Sequence, residues 1–265
     1  MLLCLDVGNT NITIGVYEKG LWTAHYRIAT IRERTEDEMG FLLKSLFAQS
    51  EMDWSRIEGI AISSVVPPLM HALEKMAVKY FGLKPLIVGA PGVKTGLNIK
   101  YENPRELGAD RLVNCVAGLE KYGPNLIVVD IGTATKFEVL NDKGEYIGGA
   151  IAPGIRISTE ALYHRAAKLP RIEITTPPSV VGRNTVTSMQ SGVLYGFAGQ
   201  VDGIVRKIKQ ELGLPFRVVA TGGLARLIRE VSRQIEEMDD NLTLDGLRII
   251  WERNNQGSTA MKTEA

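Results

Sequence analysis

The chain has 265 residues, 45% of them hydrophobic, which is enough for a substantial core in one large domain or two smaller ones. Its formal net charge of +1 gives no reason to expect nucleic acid or an anionic membrane as a partner, and no apolar run reaches the length of a membrane span. The two cysteines, Cys4 and Cys115, lie far apart in apolar contexts, which argues against a disulfide framework or a zinc site and favours the cytoplasm. The first residues carry no basic region or cleavage site, so we expect no signal peptide.

The opening stretch, Leu2–Gly20, predicts a β-hairpin. An apolar strand ends at Asp6, a Gly-Asn-Thr turn follows, and a second strand runs to the turn at Lys19. Such a turn offers backbone N–H groups and a hydroxyl to an anion, with a carboxylate beside them for a cation.

Strands and helices then alternate, which is typical of a parallel sheet with helical crossovers. The elements predicted in the first half are a strand at Trp22–Ala29, a helix at Thr35–Gln49 opened by a capping box, a strand at Ile57–Val66, a helix at Leu69–Phe81, a strand at Lys84–Val88, an extended segment at Lys94–Tyr101, and a helix from Gly108–Arg111 to near Gly123.

The second half continues the alternation and ends in a polar segment, residues 254–265, that predicts a disordered tail. Its predicted elements are a strand at Asn125–Asp130, a helix at Ser158–Ala167, an irregular or edge segment at Pro170–Pro178, a long helix at Asn184–Leu212, a strand at Phe216–Ala220, a helix at Leu224–Ile235, and a helix or strand–helix piece at Leu242–Arg253.

The stretch after Asn125 repeats the pattern of the opening hairpin. When Asp130 is aligned with Asp6, both strands end in D-x-G and both hairpins contain a Lys-Gly turn, at a constant offset over about twenty residues. We interpret this as an internal duplication. It predicts an N-terminal half at residues 1–115 and a C-terminal half at residues 116–253.

Four glycines share one face of the long predicted helix: Gly192, Gly196, Gly199 and Gly203. Each costs about 1 kcal/mol of helix propensity, so the stripe predicts a closely packed neighbour, either the other half of the molecule or a second subunit. The polar residues Gln190, Gln200 and Asp202 argue against a membrane span.

Two D-x-G turns and a later Thr221-Gly222-Gly223 turn predict a nucleotide clamped between duplicated domains. Turn amides would hold phosphate oxygens and the carboxylates would hold metal ions. The Walker, dinucleotide-binding, serine-hydrolase and zinc-protease motifs are absent, and the three histidines are scattered, so we interpret them as structural.

Simpler interpretations of the three aspartates stay open. Asp6 and Asp130 could be strand-end caps, and Asp110 with Arg111 could be an ordinary helix-start carboxylate with a surface arginine.

Six motifs in order resemble those of type III pantothenate kinases, members of the superfamily of acetate and sugar kinases, heat-shock ATPases and actin. They are DVGNTN at Asp6–Asn11, SSVVP at Ser63–Pro67, GADR at Gly108–Arg111, DIGTAT at Asp130–Thr135, GGAIAPG at Gly148–Gly154 and TGGLA at Thr221–Ala225. The resemblance covers nearly the whole chain. It implies an α/β fold of duplicated ribonuclease-H-like domains, the actin-like ATPase fold, with a nucleotide cleft between them.

The resemblance implies a cytoplasmic homodimer that transfers phosphate from ATP to pantothenate, giving 4′-phosphopantothenate in the first step of coenzyme A synthesis. It implies that Asp110 is the general base on the pantothenate hydroxyl. It also implies that Asp6 binds the magnesium of Mg-ATP and that Asp130 binds a monovalent cation, potassium or ammonium. The implied ATP-binding residues are Asp6, Val7, Gly8, Asn9, Thr10, Asn11, Ile12, Thr13 and Thr133. The implied pantothenate-binding residues are Tyr101, Gly108, Ala109, Asp110, Arg111 and Thr185.

The chain departs from the family pattern after Thr135, where Lys136-Phe137-Glu138 stands in place of a second Thr and a small or aromatic residue. Lys136 and Glu138 share a strand face. If that face is the cleft, a cation and a carboxylate have entered the phosphate site; if it is exposed, they form an ion pair of little consequence.

Two other functions stay open. One is a nucleotide-binding regulator or accessory protein without catalysis on the same scaffold, and the other is a phosphatase or a sugar-type kinase of the superfamily.

Overall fold

The computed structural model describes residues 1–259, which form ten strands and seven α-helices. The strands are β1 (Leu2–Val7), β2 (Asn11–Glu18), β3 (Leu21–Ala29), β4 (Gly59–Ser64), β5 (Leu86–Ile87), β6 (Leu126–Ile131), β7 (Ala134–Leu140), β8 (Tyr146–Pro153), β9 (Arg217–Thr221) and β10 (Glu237–Met238). The helices are α1 (Glu36–Gln49), α2 (Pro67–Phe81), α3 (Ala109–Tyr122), α4 (Ile155–Arg165), α5 (Thr185–Leu212), α6 (Ala225–Arg229) and α7 (Leu242–Thr259). Within residues 1–259, no helix has the length and apolar character needed to cross a membrane.

Two five-stranded sheets have the same strand order, which confirms the duplicated α/β fold. The first is ordered β3-β2-β1-β4-β5 and the second β8-β7-β6-β9-β10. In each sheet the first three strands pair antiparallel. The fourth strand pairs parallel with the central strand, and the edge strand pairs parallel with the fourth. Each sheet thus begins as a meander and continues through helical crossovers.

The constant offset between the two hairpins is wrong for their second strands. Asp6 lies opposite Thr13, whereas Asp130 lies opposite Lys136, so the turn of the second hairpin is one residue shorter. The next turn is longer in the second hairpin, and this restores the match of Trp22 with Tyr146. A one-residue change in register moves a side chain to the other face of a strand. The structural equivalent of Thr13 is therefore Lys136.

The chain forms two compact units. The first contains residues 1–96 and 103–117 together with α7, and the second contains residues 97–102 and 118–241. This differs from the expected halves, which assigned Leu242–Arg253 to the second. Helix α7 belongs to the first unit because it packs on β1, β2 and β4, with Trp251 against Gly59 and Trp22 donating a 2.9 Å hydrogen bond to Asp245.

In both units one face of the central strand faces a helical core and leaves the aspartate on the opposite face. Leu3, Leu5 and Val7 of β1 are buried among residues of α1 and α2. The corresponding residues of β6 are buried among residues of α5. Strand alternation therefore places Asp6 and Asp130 away from those cores.

Two predicted segments end differently in the structure. The helix predicted at Leu224–Ile235 is wrong beyond Arg229, because the Asp202 carboxylate accepts hydrogen bonds from the Ser232 hydroxyl and from the backbone N–H groups of Arg233 and Gln234. These N–H groups are thereby removed from helical pairing, and β10 follows.

The disordered tail predicted at 254–265 is wrong at its start, since α7 continues to Thr259. The side chain of Asn254 exchanges two hydrogen bonds with the backbone of Lys94, at 2.9 and 2.8 Å. Residues 260–265 lie outside the described part of the chain.

Candidate active site

The turn after β1 is braced by the end of β3. Within the turn, the Gly8 N–H donates to the Asn11 carbonyl at 3.0 Å. The hydroxyl of Thr30 donates to the Gly8 carbonyl at 2.7 Å, and its N–H donates to the Thr10 carbonyl at 3.0 Å. The side chains of Asn9 and Thr10 are exposed at the tip. A fixed turn with exposed amide and hydroxyl groups beside a strand-end carboxylate suits a metal-bound phosphate.

Each strand-end aspartate has a hydroxyl residue beside it on the parallel neighbouring strand. Ser63 of β4 lies next to Asp6, and Thr221 of β9 lies next to Asp130. Both hydroxyl residues are buried, and the Ser63 hydroxyl has no hydrogen-bond partner among the described residues. The SSVVP and TGGLA motifs contain these two residues, but the sequence alone does not assign them to the site. The shared position became visible only with the strand register.

The GADR motif opens α3 in the first unit. Asp110 is half-buried in the first turn, and its Oδ1 accepts a 2.8 Å hydrogen bond from the Arg111 N–H. A Cβ placed on Gly108 would lie 3.6 Å from Cγ1 of Val65. The first unit therefore brings GADR beside the SSVVP segment, whose Ser63 neighbours Asp6.

The Arg111 N–H belongs to the first turn of α3, where such donors have no partner within the helix, and the Asp110 carboxylate accepts its hydrogen bond. A carboxylate held in this way keeps a fixed position and can also accept a proton from a bound alcohol. The Arg111 side chain is not on the surface, because only 7% of the residue is exposed.

The turn after β6 is enclosed by two glycines from other segments. The Gly154 N–H donates to the Thr133 carbonyl at 3.1 Å, and a Cβ on Gly154 would lie only 2.2 Å from that oxygen. A Cβ on Gly222, whose φ is +102°, would lie 2.6 Å from the Ile131 carbonyl. These approaches require glycine and fix the backbone around Thr133, which is exposed.

Lys136 forms an ion pair with Asp130 in this second unit. Its Nζ lies 2.8 Å from Oδ2 of Asp130, and the two side chains are 15% and 16% exposed. Glu138, two residues further on the same face, is fully buried. The exposed alternative for Lys136 and Glu138 is therefore wrong, because both residues lie on the largely buried face that carries Asp130.

The residues present at Asp130 do not fit an additional monovalent cation. Potassium binding needs several oxygen ligands in place of water, and here one carboxylate oxygen already holds an ammonium. Two unit charges about 4 Å apart near a protein surface repel by roughly 4 kcal/mol. Within residues 1–259, no three His, Cys, Asp or Glu residues form a group that could hold a metal ion.

The remaining expected substrate residues lie on separate elements of the second unit. The Tyr101 ring packs against Tyr146, with centroids 5.7 Å apart, and against Gly148. Thr185 begins α5 and is exposed on a pocket of about 690 Å³ between α4 and α5, whose lining is mainly apolar and includes Leu162 and Phe197. The structure thus shows a packing role for Tyr101 and an accessible position for Thr185.

The glycine stripe of α5 lies open. A Cβ on Gly192, Gly196, Gly199 or Gly203 would meet no atom within 4 Å from the rest of the described chain, outside the adjoining backbone of α5 itself. The close neighbour expected from the sequence is therefore not found on this face among residues 1–259.

Solved structures share this architecture over nearly the whole chain. A Campylobacter jejuni protein assigned to the Baf family of transcriptional activators is 17% identical, with 96% of this chain and 99% of that chain covered and a TM-score of 0.60. A Sinorhizobium meliloti protein assigned as a 2-dehydro-3-deoxygalactonokinase is 11% identical, with 96% of each chain covered and a TM-score of 0.57. Component A of (R)-2-hydroxyglutaryl-CoA dehydratase from Acidaminococcus fermentans is 13% identical, with 94% of this chain and 95% of that chain covered and a TM-score of 0.53.

At these identities the likeness concerns the fold, and it confirms the duplicated ribonuclease-H-like domains of the actin-like ATPase fold. The family model described as type III pantothenate kinase matches residues 2–207, which is most of the chain. The chain therefore belongs to the type III pantothenate kinase family.

Proposed function

We propose that the protein transfers the terminal phosphoryl group of ATP to pantothenate, forming 4′-phosphopantothenate in the first step of coenzyme A synthesis. Family membership supports a kinase that uses ATP. The observation that carries the proposal is the placement of GADR in the first unit, where Gly108 lies beside Val65 of SSVVP and Ser63 lies beside Asp6. A candidate base and a candidate magnesium carboxylate thus belong to one framework.

In this proposal Asp110 accepts the proton of the pantothenate hydroxyl as the bond to phosphorus forms, because a primary alcohol is a weak nucleophile. Residues 6–13 hold the phosphates of Mg-ATP, with Asp6 toward the magnesium, and Thr133 contacts ATP. Gly108, Ala109 and Arg111, together with Tyr101 and Thr185, hold pantothenate. Arg111 supplies a positive charge for the pantothenate carboxylate or the transferred phosphoryl group.

The test is Asp110→Asn, measured as pantothenate-dependent ADP release. Loss of a general base lowers kcat by about 100-fold to 10,000-fold. Asp142→Asn is the matched control, because Asp142 is exposed in a turn of the second unit and should leave kcat unchanged. Parent-like turnover by Asp110→Asn would remove the assigned base.

The proposal includes a cytoplasmic homodimer. The cytoplasm suits Cys4 and Cys115, which are buried and form no disulfide. The open glycine stripe and exposed apolar residues nearby in sequence support a subunit interface on the second unit. These residues are Ile157, Leu162, Val180, Val181 and Val186.

Gly196→Leu tests the interface, because a Cβ at Gly196 has no neighbour within 4 Å outside its own stretch of helix, whereas a leucine would overfill a packed helix contact with a partner. Sedimentation should show a smaller species for Gly196→Leu, with Gly196→Ala affected less. Unchanged oligomer size would contradict this placement.

A non-catalytic regulator is the second candidate, favoured by the name of the Campylobacter jejuni protein. ADP release with and without pantothenate separates the two. Absence of pantothenate-dependent ADP release would favour the regulator. A panel of sugars as acceptors tests the sugar-kinase alternative, which the name of the Sinorhizobium meliloti protein raises.

A further inference from the structure

The ion pair between Lys136 and Asp130 occupies the position where the family resemblance implies an exchangeable monovalent cation. The two residues are direct cross-strand partners on β7 and β6, so the strand register itself brings the ammonium to the carboxylate. The 2.8 Å distance and the low exposure of both side chains show a formed pair within the fold.

A lysine side chain is suited to this replacement. Its head group is a compact ammonium with a single positive charge, carried on a flexible stem. Ammonium is also one of the two ions expected at Asp130. A carboxylate that already holds such a group loses its attraction for a second monocation.

The corresponding position of the first hairpin shows that the lysine is a local replacement. There Thr13 lies opposite Asp6, so no ammonium comes from that strand position. The duplicated fold thus carries an uncharged partner in one hairpin and a cationic partner in the other.

We infer that the Lys136 ammonium is a tethered substitute for the monovalent cation at Asp130, so that the protein works without potassium. Lys136 is a positioning residue in this role. It neutralises and orients the Asp130 carboxylate beside the turn that carries Thr133. The inference rests on the proposed function only where a reaction rate is measured.

The first test compares rates in potassium and sodium at equal ionic strength. The rates of the parent protein in the two salts should agree within about twofold, because both salts screen charges equally and no exchangeable cation is needed. Lys136→Thr, which introduces the residue found at position 13, should become faster in potassium than in sodium by about tenfold or more, because the charge at Asp130 must then come from solution. Lys136→Gln is a second uncharged variant, and Lys136→Arg should stay independent of potassium.

The matched control is Lys143→Thr. Lys143 is an exposed lysine in the turn between β7 and β8. Its loss should leave the ratio of the rate in potassium to the rate in sodium at the parent value.

The second test needs no substrate. Thallium(I), a spectroscopic substitute for potassium, should bind Lys136→Thr and not the parent, as measured by thallium NMR. Potassium should raise the thermal midpoint of Lys136→Thr above its value in sodium, because a ligand that binds the folded state stabilises it. Adding Asp130→Asn to Lys136→Thr should abolish both effects.

Three results would overturn the inference. The first is a parent protein whose rate depends on potassium. The second is thallium binding by the parent that Asp130→Asn removes, and the third is a set of uncharged variants that neither bind thallium nor respond to potassium. Absence of pantothenate-dependent ADP release in every salt would reject the proposed kinase instead. Thallium binding and the thermal midpoint would still decide the role of Lys136.

Discussion

The two hairpins of this chain share their sheet position and strand-end aspartate, but they differ in what lies opposite that aspartate. In the first hairpin the partner of Asp6 is Thr13, and in the second the partner of Asp130 is Lys136. The cause is a turn that is one residue shorter in the second hairpin, because such a change exchanges the two faces of a strand. A duplicated framework can therefore place a hydroxyl opposite one aspartate and an ammonium opposite the other.

The largest effect is expected when the first hairpin carries a lysine opposite its aspartate, as the second hairpin does. Thr13→Lys places an ammonium opposite Asp6, in the register that Lys136 has opposite Asp130. If Asp6 faces the magnesium of Mg-ATP, neutralising it should lower kcat/KM for ATP by about 100-fold, or ~2.7 kcal/mol. Steady-state kinetics at saturating pantothenate measures this loss.

Thr23→Lys is the control for that experiment, since it adds the same charge at an exposed position of the adjacent strand β3. Kinetics of Thr13→Lys equal to those of Thr23→Lys would show that Asp6 has no role at the nucleotide.

The duplication and the motifs were readable from the sequence because D-x-G endings and apolar strands are local patterns. The ion pair between Lys136 and Asp130 was not readable from the sequence. Alternation places Lys136 and Glu138 on the same strand face, but only the pairing with β6 shows that this face carries Asp130. The end of α6 was hidden for a related reason. The Asp202 carboxylate that binds Ser232 and the N–H group of Arg233 comes from α5, about thirty residues earlier, and no local pattern reports that contact.

The site residues divide in the same way. Asp110 at the start of α3 follows from the helix pattern of its own segment, whereas the bracing of the turn at Thr133 depends on Gly154 and Gly222 from distant segments. Sequence patterns predict where a turn occurs, and packing decides which backbone encloses it.

The second prediction tests how differently the two turns are held. Gly154→Ala puts a Cβ 2.2 Å from the Thr133 carbonyl, and Gly8→Ala puts one 3.1 Å from the Asn11 carbonyl. The backbone must shift in the first case, so Gly154→Ala should lower the free energy of unfolding by about 2 kcal/mol. Gly8→Ala should cost less than half of that. Urea denaturation of both variants measures the difference, and equal losses would show that the two turns are equally constrained.

A smaller effect is expected from the brace of the first turn. Thr30→Val removes the hydroxyl that donates to the Gly8 carbonyl at 2.7 Å and keeps the shape of the side chain. The loss of one hydrogen bond should lower the free energy of unfolding by about 1 kcal/mol. If the turn holds ATP phosphates, KM for ATP should rise while kcat changes little.

Thr175→Val is a matched control in the second unit, where the Thr175 hydroxyl accepts a hydrogen bond from Gln190. An unchanged KM for ATP in Thr30→Val would separate the first turn from nucleotide binding.

No loss of activity is expected from a change at equivalent buried positions of the two central strands, where the side chains differ. Cys4 of β1 corresponds to Val128 of β6, and both are fully buried. Burial raises the pKa of the Cys4 thiol, so the reactive thiolate is suppressed. Cys4→Val should therefore change the free energy of unfolding by less than about 1.5 kcal/mol and leave activity intact. The native parent should not react with a thiol reagent at neutral pH, and denaturation should release both cysteines. Rapid labelling of the native protein at Cys4 would contradict this and would show that the first strand opens in the folded protein.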